Sequence, residues 1–290
     1  MSDTTANAPE TPEEEGVPHP YHLVNPSWKP LVGALSGGVM AIGGVLFMHE
    51  GTWWLLVLGF LGVLFTMFMW WRDVLDESMR QRAHTAVTKI GLRYGMILFI
   101  ASEVMFFVAF FWAYFDPALF PADVDQYARM DYTGGIWPPE GMTVVDPFHF
   151  PLLMTMILLL SGTTVTWAHH VLREGNNKEA AQALGITVFL GLFFVLIQAY
   201  EYNIIPFAFR DGVLPSTFYM ATGFHGFHVV VGTIFLAVCW FRAGRRDFTA
   251  DSHVGFESAA WYWHFVDVVW LFLFFAVYWW GFGDGHFAPH

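Results

Sequence analysis

Seven long apolar runs limit what this chain can become. They lie at roughly 30–48, 52–71, 91–115, 151–172, 181–202, 215–241 and 256–281. A helix of about 20 apolar residues crosses the hydrocarbon core of a bilayer, and each run is near or above that length. Backbone groups find no water in lipid, so a single chain crosses as helices or as a closed barrel, and runs this long favour helices. The runs therefore predict an all-α membrane protein with seven transmembrane helices. With 56% hydrophobic and 13% charged residues, the chain is too apolar for a soluble domain with a large core.

Charge asymmetry orients the spans. With the N-terminus inside, inner segments hold Lys29, Arg72, Arg80, Arg82, Lys89, Arg93, Arg173, Lys178, Arg242, Arg245 and Arg246, whereas outer segments hold only Arg129 and Arg210. Basic residues concentrate on the cytoplasmic side, which predicts a cytoplasmic N-terminus and an outer C-terminus. Trp53, Trp54, Trp70, Trp71, Trp279 and Trp280 stand at span ends, where interfacial aromatic belts form. The first run is rich in glycine, and Gly33–Gly37 has the small-xxx-small spacing of close helix contact.

Residues 1–29 carry Glu10, Glu13, Glu14 and Glu15 among prolines. Transit peptides are Arg-rich and acid-poor, and secretory signals have a basic start and an apolar middle. This segment matches neither pattern and predicts a partly disordered cytoplasmic tail, followed by the helical domain at 30–282 and a short outer tail at 283–290. A bacterial inner membrane is the expected location, with a mitochondrial inner membrane as the alternative for an organelle-encoded chain. The net charge of −12 comes largely from the tail and outer loops. Without a basic face the sequence predicts no nucleic-acid partner. Cys239 is the sole cysteine, so the chain makes no internal disulfide and no thiolate metal site.

Glu103 lies mid-span in RYGMILFIASEVMFFVAFFWAYF, residues 93–115. An acid at that depth costs on the order of 2.5–3.5 kcal/mol on insertion scales. Phe99, Ile100, Phe106 and Phe107, one turn away, cannot solvate it. The reading is a neutral carboxyl unless a partner group reaches it. Two roles stay open: a bonded structural carboxyl, or a proton or ligand site.

Further polar groups fall in later spans. TWAHH supplies His169 and His170, and QAYEY supplies Glu201. His225 and His228 in the sixth span, like His264 and Asp267 in the seventh, stand three apart on one helix face. Imidazoles from two helices converging at one depth could hold haem or metal. Alternatively, the four groups bond one another and lock the bundle. The inner segment WWRDVLDESMRQRAHT (70–85) offers Trp71, Glu77 and His84, with Arg242 and His253 on the same side. Basic pockets of this kind bind anionic headgroups, and ordinary snorkelling is the alternative. The outer loop 116–150 scatters its acids unlike a calcium loop, and Pro138 and Pro139 exclude a regular helix at 134–141. It is expected to cap helix ends.

SEVMFF around Glu103, WPPEG, LLLSGTTVTWAHH, YMATGFHGFHVVVGTIFL and HVGFESAAWYWHFVDVVWLFLF, together with WWRDV and RYGMILFIASEV, resemble the subunit III family of cytochrome c oxidases over about 25–282. Seven spans and WPPEG fit that type better than the related quinol-oxidase subunit, which usually lacks the first two. The resemblance implies helices 1–2 and 3–7 splayed into a V-shaped cleft holding phospholipids. It implies no haem or copper in this chain, those cofactors belonging to subunits I and II as partners. Cytochrome c would be met only through the complex, and a respiratory supercomplex is a further partner the family allows. The expected role is to stabilise subunit I and to support proton uptake and active-site durability while the complex reduces oxygen and translocates protons. By motif match Glu103 is the family's carbodiimide-reactive acid. Trp71, Glu77, His84, Arg93 and Arg242 match positions near lipid headgroups. The resemblance favours packing and bonding roles for His225, His228, His264 and Asp267 and implies no metal among them.

Overall fold

The computed structural model describes residues 21–281. The expected tail at 283–290 lies outside them, as do residues 1–20 of the expected tail at 1–29; its residues 21–28 are non-helical. In order come α1 (Lys29–Glu50), α2 (Trp54–Met79), α3 (Ala86–Leu119), the short α4 (Tyr127–Thr133), α5 (Phe150–Arg173), α6 (Asn177–Ile204), α7 (Val213–Gly244) and α8 (Val254–Leu273), continued by a π-helical stretch at Phe274–Trp280. Among the described residues the only strand-like pairing is an isolated bridge, Thr249–Ser252. Seven helices of the described residues are long and apolar enough to cross a membrane, all but α4, with α8 counted through Trp280. Several outrun their apolar windows: α2 continues to Met79 and α3 begins at Ala86. Apolarity marks where lipid would lie, while a helix continues until its backbone bonding is broken. Between α2 and α3 the break coincides with Arg82, at φ +50°.

The chain divides into two compact units, up to Leu92 and from Arg93 onward. In the first, α1 and α2 form an antiparallel hairpin turned at Gly51, whose φ of +72° ends α1 in the left-handed region. Glycines set how closely the two helices approach. A Cβ at Gly43 would strike the backbone of Leu56, and one at Gly59 would strike the backbone of Met40. The predicted Gly37 contact is not made: Gly37 faces open space, and the near approach of Gly33 is to Thr66. Lys29 pairs with Asp73 at the hairpin's open end. Gly59→Val is expected to destabilise the hairpin by about 1–3 kcal/mol through overpacking against backbone that cannot move aside. Gly44→Ala, whose Cβ would meet nothing, is expected to be neutral. Thermal melting of the two purified variants compares them.

In the second unit α5, α6, α7 and α8 pack in succession, and α8 also closes on α5. Most of α8 is buried, including Trp263, Trp270 and Tyr278 of its core face and continuation. Indole N–H groups need acceptors where water is absent. Trp263 donates to Ser161 Oγ and Trp270 to Thr155 Oγ1, each at 2.9 Å. Phe111 of α3 meets Phe272 with ring centroids 4.5 Å apart, and Phe106 meets Phe224 at 5.0 Å. Arg129 of α4 pairs with Asp116, and Tyr132 of the same helix docks against Gly212. Residues 134–141 are non-helical.

Candidate functional site

Glu103 sits midway along α3, and a partner reaches it. His228 of α7 places Nε2 2.9 Å from Glu103 Oε2. The other ring nitrogen, Nδ1, lies 2.6 Å from the Phe224 carbonyl one turn back. A carbonyl only accepts, so Nδ1 carries a proton and donates it. In the neutral imidazole Nε2 is then an acceptor, and Glu103 must donate to it. The alternative charge state, imidazolium and carboxylate, carries the same single proton between the same two atoms. In both states the pair is neutral as a unit, which suits an apolar surround. That surround is aromatic: Phe107 lies 4.9 Å and Phe106 6.0 Å from the imidazole, centroid to centroid.

Among the described residues His225, His264 and Asp267 make no hydrogen bond to this pair. His225 is fully buried and meets the backbone carbonyl of Val266 through Nε2 at 3.1 Å. His264 Nδ1 lies 3.4 Å from Asp267 Oδ2, and its Nε2 lies 3.1 Å from Thr166 Oγ1 on α5. Gly162 makes room for that carboxylate, since a Cβ there would come within 2.5 Å of Asp267 Oδ2. The four-membered network of His225, His228, His264 and Asp267 is therefore three separate bonded groups. Residues three apart share a helix face without pointing at one target. His225 turns to the α8 backbone, whereas His228 turns to α3.

Glu201, named in the sequence without a role, is the most buried carboxyl among the described residues, at 1% exposure. It accepts from Gln198 Nε2 at 2.9 Å and from the Tyr278 hydroxyl at 3.1 Å. Its place in QAYEY beside Gln198 was the available signal. Nothing local in the sequence pointed to Tyr278.

Trp71, Glu77, His84, Arg93 and Arg242 divide between the two units. In the first, Trp71 is exposed, while Glu77 and His84 lie with His22 so that one ligand atom of each is within 4.8 Å of the others. His22 lies upstream of every span, and sequence spacing did not connect it. In the second, both guanidiniums have protein partners. Arg93 Nε is 2.8 Å from Glu257 Oε2, with 39% of its side chain still exposed. Arg242 lies over the Phe248 ring at 4.3 Å, and its Nε is 3.9 Å from Asp247 Oδ2. Arg242 is thus the more enclosed of the two.

Burial holds the His84 imidazole below its ordinary value, His22 and Lys89 push the same way, and Glu77 opposes them. A histidine depressed in the folded state contributes stability above its unfolded value, near 6.5, and loses it as pH falls. The 80–85 segment is therefore expected to loosen below about pH 6.5, and His84→Gln to flatten that dependence. Amide exchange across the segment, corrected for intrinsic rates at each pH, measures it.

The family model described as cytochrome c oxidase subunit III matches residues 19–282. A cytochrome c oxidase subunit 3 from Arabidopsis thaliana is 54% identical over 265 residues, covering 91% of this chain and 97% of that one. Proteins of the same name from Danio rerio and Halichoerus grypus are each 52% identical over 263 residues, covering 91% of this chain and 98% of their own.

Proposed function

Because the chain belongs to the cytochrome c oxidase subunit III family, we propose that it is a non-catalytic core subunit of such an oxidase that carries phospholipid and stiffens the subunit holding the redox centres. Subunits I and II are its partners, and cytochrome c is met only through the complex. The oxidase would reduce oxygen to water and move protons across an inner membrane.

One observation carries the lipid part of this reading. Few residues of α1, α2 and α3 are buried, and their outward faces are large and apolar. On α3, Leu98, Met105 and Trp112 recur every seven residues, 70%, 65% and 75% exposed. A stripe with that period suits a neighbouring helix or acyl chains. Trp71, Glu77 and His84 stand at one end of the first unit, and Arg93 with Arg242 lie in the second. In this reading they hold headgroups, with Arg93 more available than Arg242. Glu103 is a structural carboxyl closed on His228 rather than a proton entry of its own.

The test is made on the purified oxidase. His84→Ala and Arg242→Ala are expected to lower bound phospholipid per complex and to hasten inactivation during turnover. Normal lipid content together with normal catalytic lifetime would contradict the reading. So would a haem spectrum retained by the isolated chain.

A further inference from the structure

The last turn of α5 and the first turn of α8 bring together three side chains that the proposed function leaves unused. His169 comes from α5, His253 immediately precedes α8, and Glu257 lies one turn into it. One ligand atom from each is within 4.8 Å of the other two. The four-residue spacing puts His253 and Glu257 on one face, with His253 Nε2 3.9 Å from Glu257 Oε1. Each donor is prepared in a different way. His253 Nδ1 lies 3.0 Å from the Thr249 carbonyl. That nitrogen must carry the proton, which leaves Nε2 with its lone pair, the arrangement that orients ligating histidines. His169 Nε2 is buried and has no hydrogen-bond partner among the described residues, an uncommon and costly condition for a polar atom. Arg93 holds Glu257 Oε2 at 2.8 Å, fixing the carboxylate and leaving Oε1 for the imidazoles.

We propose that His169, His253 and Glu257 form a binding site for a divalent transition-metal ion of the zinc class, tying α5 to α8. Two imidazoles and one carboxylate are a donor set that zinc accepts, with a fourth position for water. Calcium and magnesium prefer oxygen ligands throughout. Bonds of about 2.0–2.2 Å around a tetrahedral ion put ligand atoms about 3.3–3.6 Å apart. The 3.9 Å between His253 and Glu257 therefore closes with a few tenths of an ångström of movement. Arg93 shares the carboxylate, which sets the affinity below that of a site holding Glu257 alone. Arg93 is the one residue this site shares with the lipid reading; the site's three ligands are not part of that reading.

The test uses the purified oxidase complex containing this chain, stripped with a chelator, exposed to Zn2+ and desalted. Wild type is expected to retain one more zinc per complex than His169→Gln or His253→Gln, counted by elemental mass spectrometry. Anomalous scattering from zinc-soaked wild-type crystals, recorded on both sides of the zinc edge, is expected to show a peak between these three side chains. Equal zinc in wild type and both variants would overturn the site. So would an anomalous map without that peak, and this measurement decides alone if either variant does not assemble.

Discussion

Glu103→Leu is expected to destabilise the α3–α7 contact by about 1–3 kcal/mol, the cost of leaving a buried polar atom unpaired. The atom is His228 Nε2, on a side chain only 7% exposed. Nδ1 is committed to the Phe224 carbonyl, and the rings around the imidazole include those of Phe106, Phe107, Phe265 and Tyr262. Glu103→Gln should behave differently. An amide N–H can donate to Nε2 as the neutral acid would, but it cannot release a proton. The Gln variant is therefore expected to assemble, melt near wild type and leave proton translocation by the oxidase largely intact. The double variant Glu103→Leu, His228→Phe removes both partners and should recover most of the stability lost by Leu alone, since replacing both ends of a buried bond with apolar groups is nearly neutral. Melting of the purified complex and the pumped proton count measure the series. Loss of pumping in an assembled Gln variant would assign Glu103 a proton-carrying role. A double variant no more stable than Leu alone would show that the bond is not the source of the effect.

This pair also shows what the sequence disclosed. Glu103 was conspicuous because a lone acid in a span of Phe, Ile and Met has no neighbour able to solvate it. Its partner was not legible, for His228 is 125 residues away and helical spacing grouped it with His225. Spacing assigns residues to a face, but the packing partners of that face come from tertiary contacts. The same limit governs the glycines. Gly33 and Gly37 carried the expected spacing, yet the closest backbone approaches fall at Gly43 and Gly59, because the register of the hairpin selects among several small residues. The spans themselves were legible, since the length and apolarity needed to cross lipid are local properties. His169 and His253 were each visible in the sequence. Only the approach of α8 to α5 makes them neighbours, with rings 5.4 Å apart.

Trp263→Ala is expected to have the largest effect in the second unit, about 3–5 kcal/mol, in the range of large-to-small aromatic substitutions in packed cores. The reason is what surrounds the indole. A Cβ at Gly191 of α6 would come within 2.6 Å of Trp263 Cη2, and one at Gly232 of α7 within 2.9 Å of Cε3. The ring thus lies directly against two helices at positions without side chains. When it is removed, neither glycine can refill the space, and the helices must shift together or leave a void. Lipid supplies no hydrophobic drive between helices, so the bundle depends on this contact for dispersion and fit. Trp263→Phe keeps most of the ring and loses the bond to Ser161. Ser161 retains its own bond to the Leu158 carbonyl at 2.6 Å, so no orphan is created. The Phe cost is expected to be that of an interhelical bond in a membrane, about 0.6–1.7 kcal/mol, plus a smaller void. Thermal melting and retention of the chain in the purified complex distinguish the two. Equal losses in Ala and Phe would mean that the hydrogen bond, rather than the ring wedged between Gly191 and Gly232, holds α8 in place.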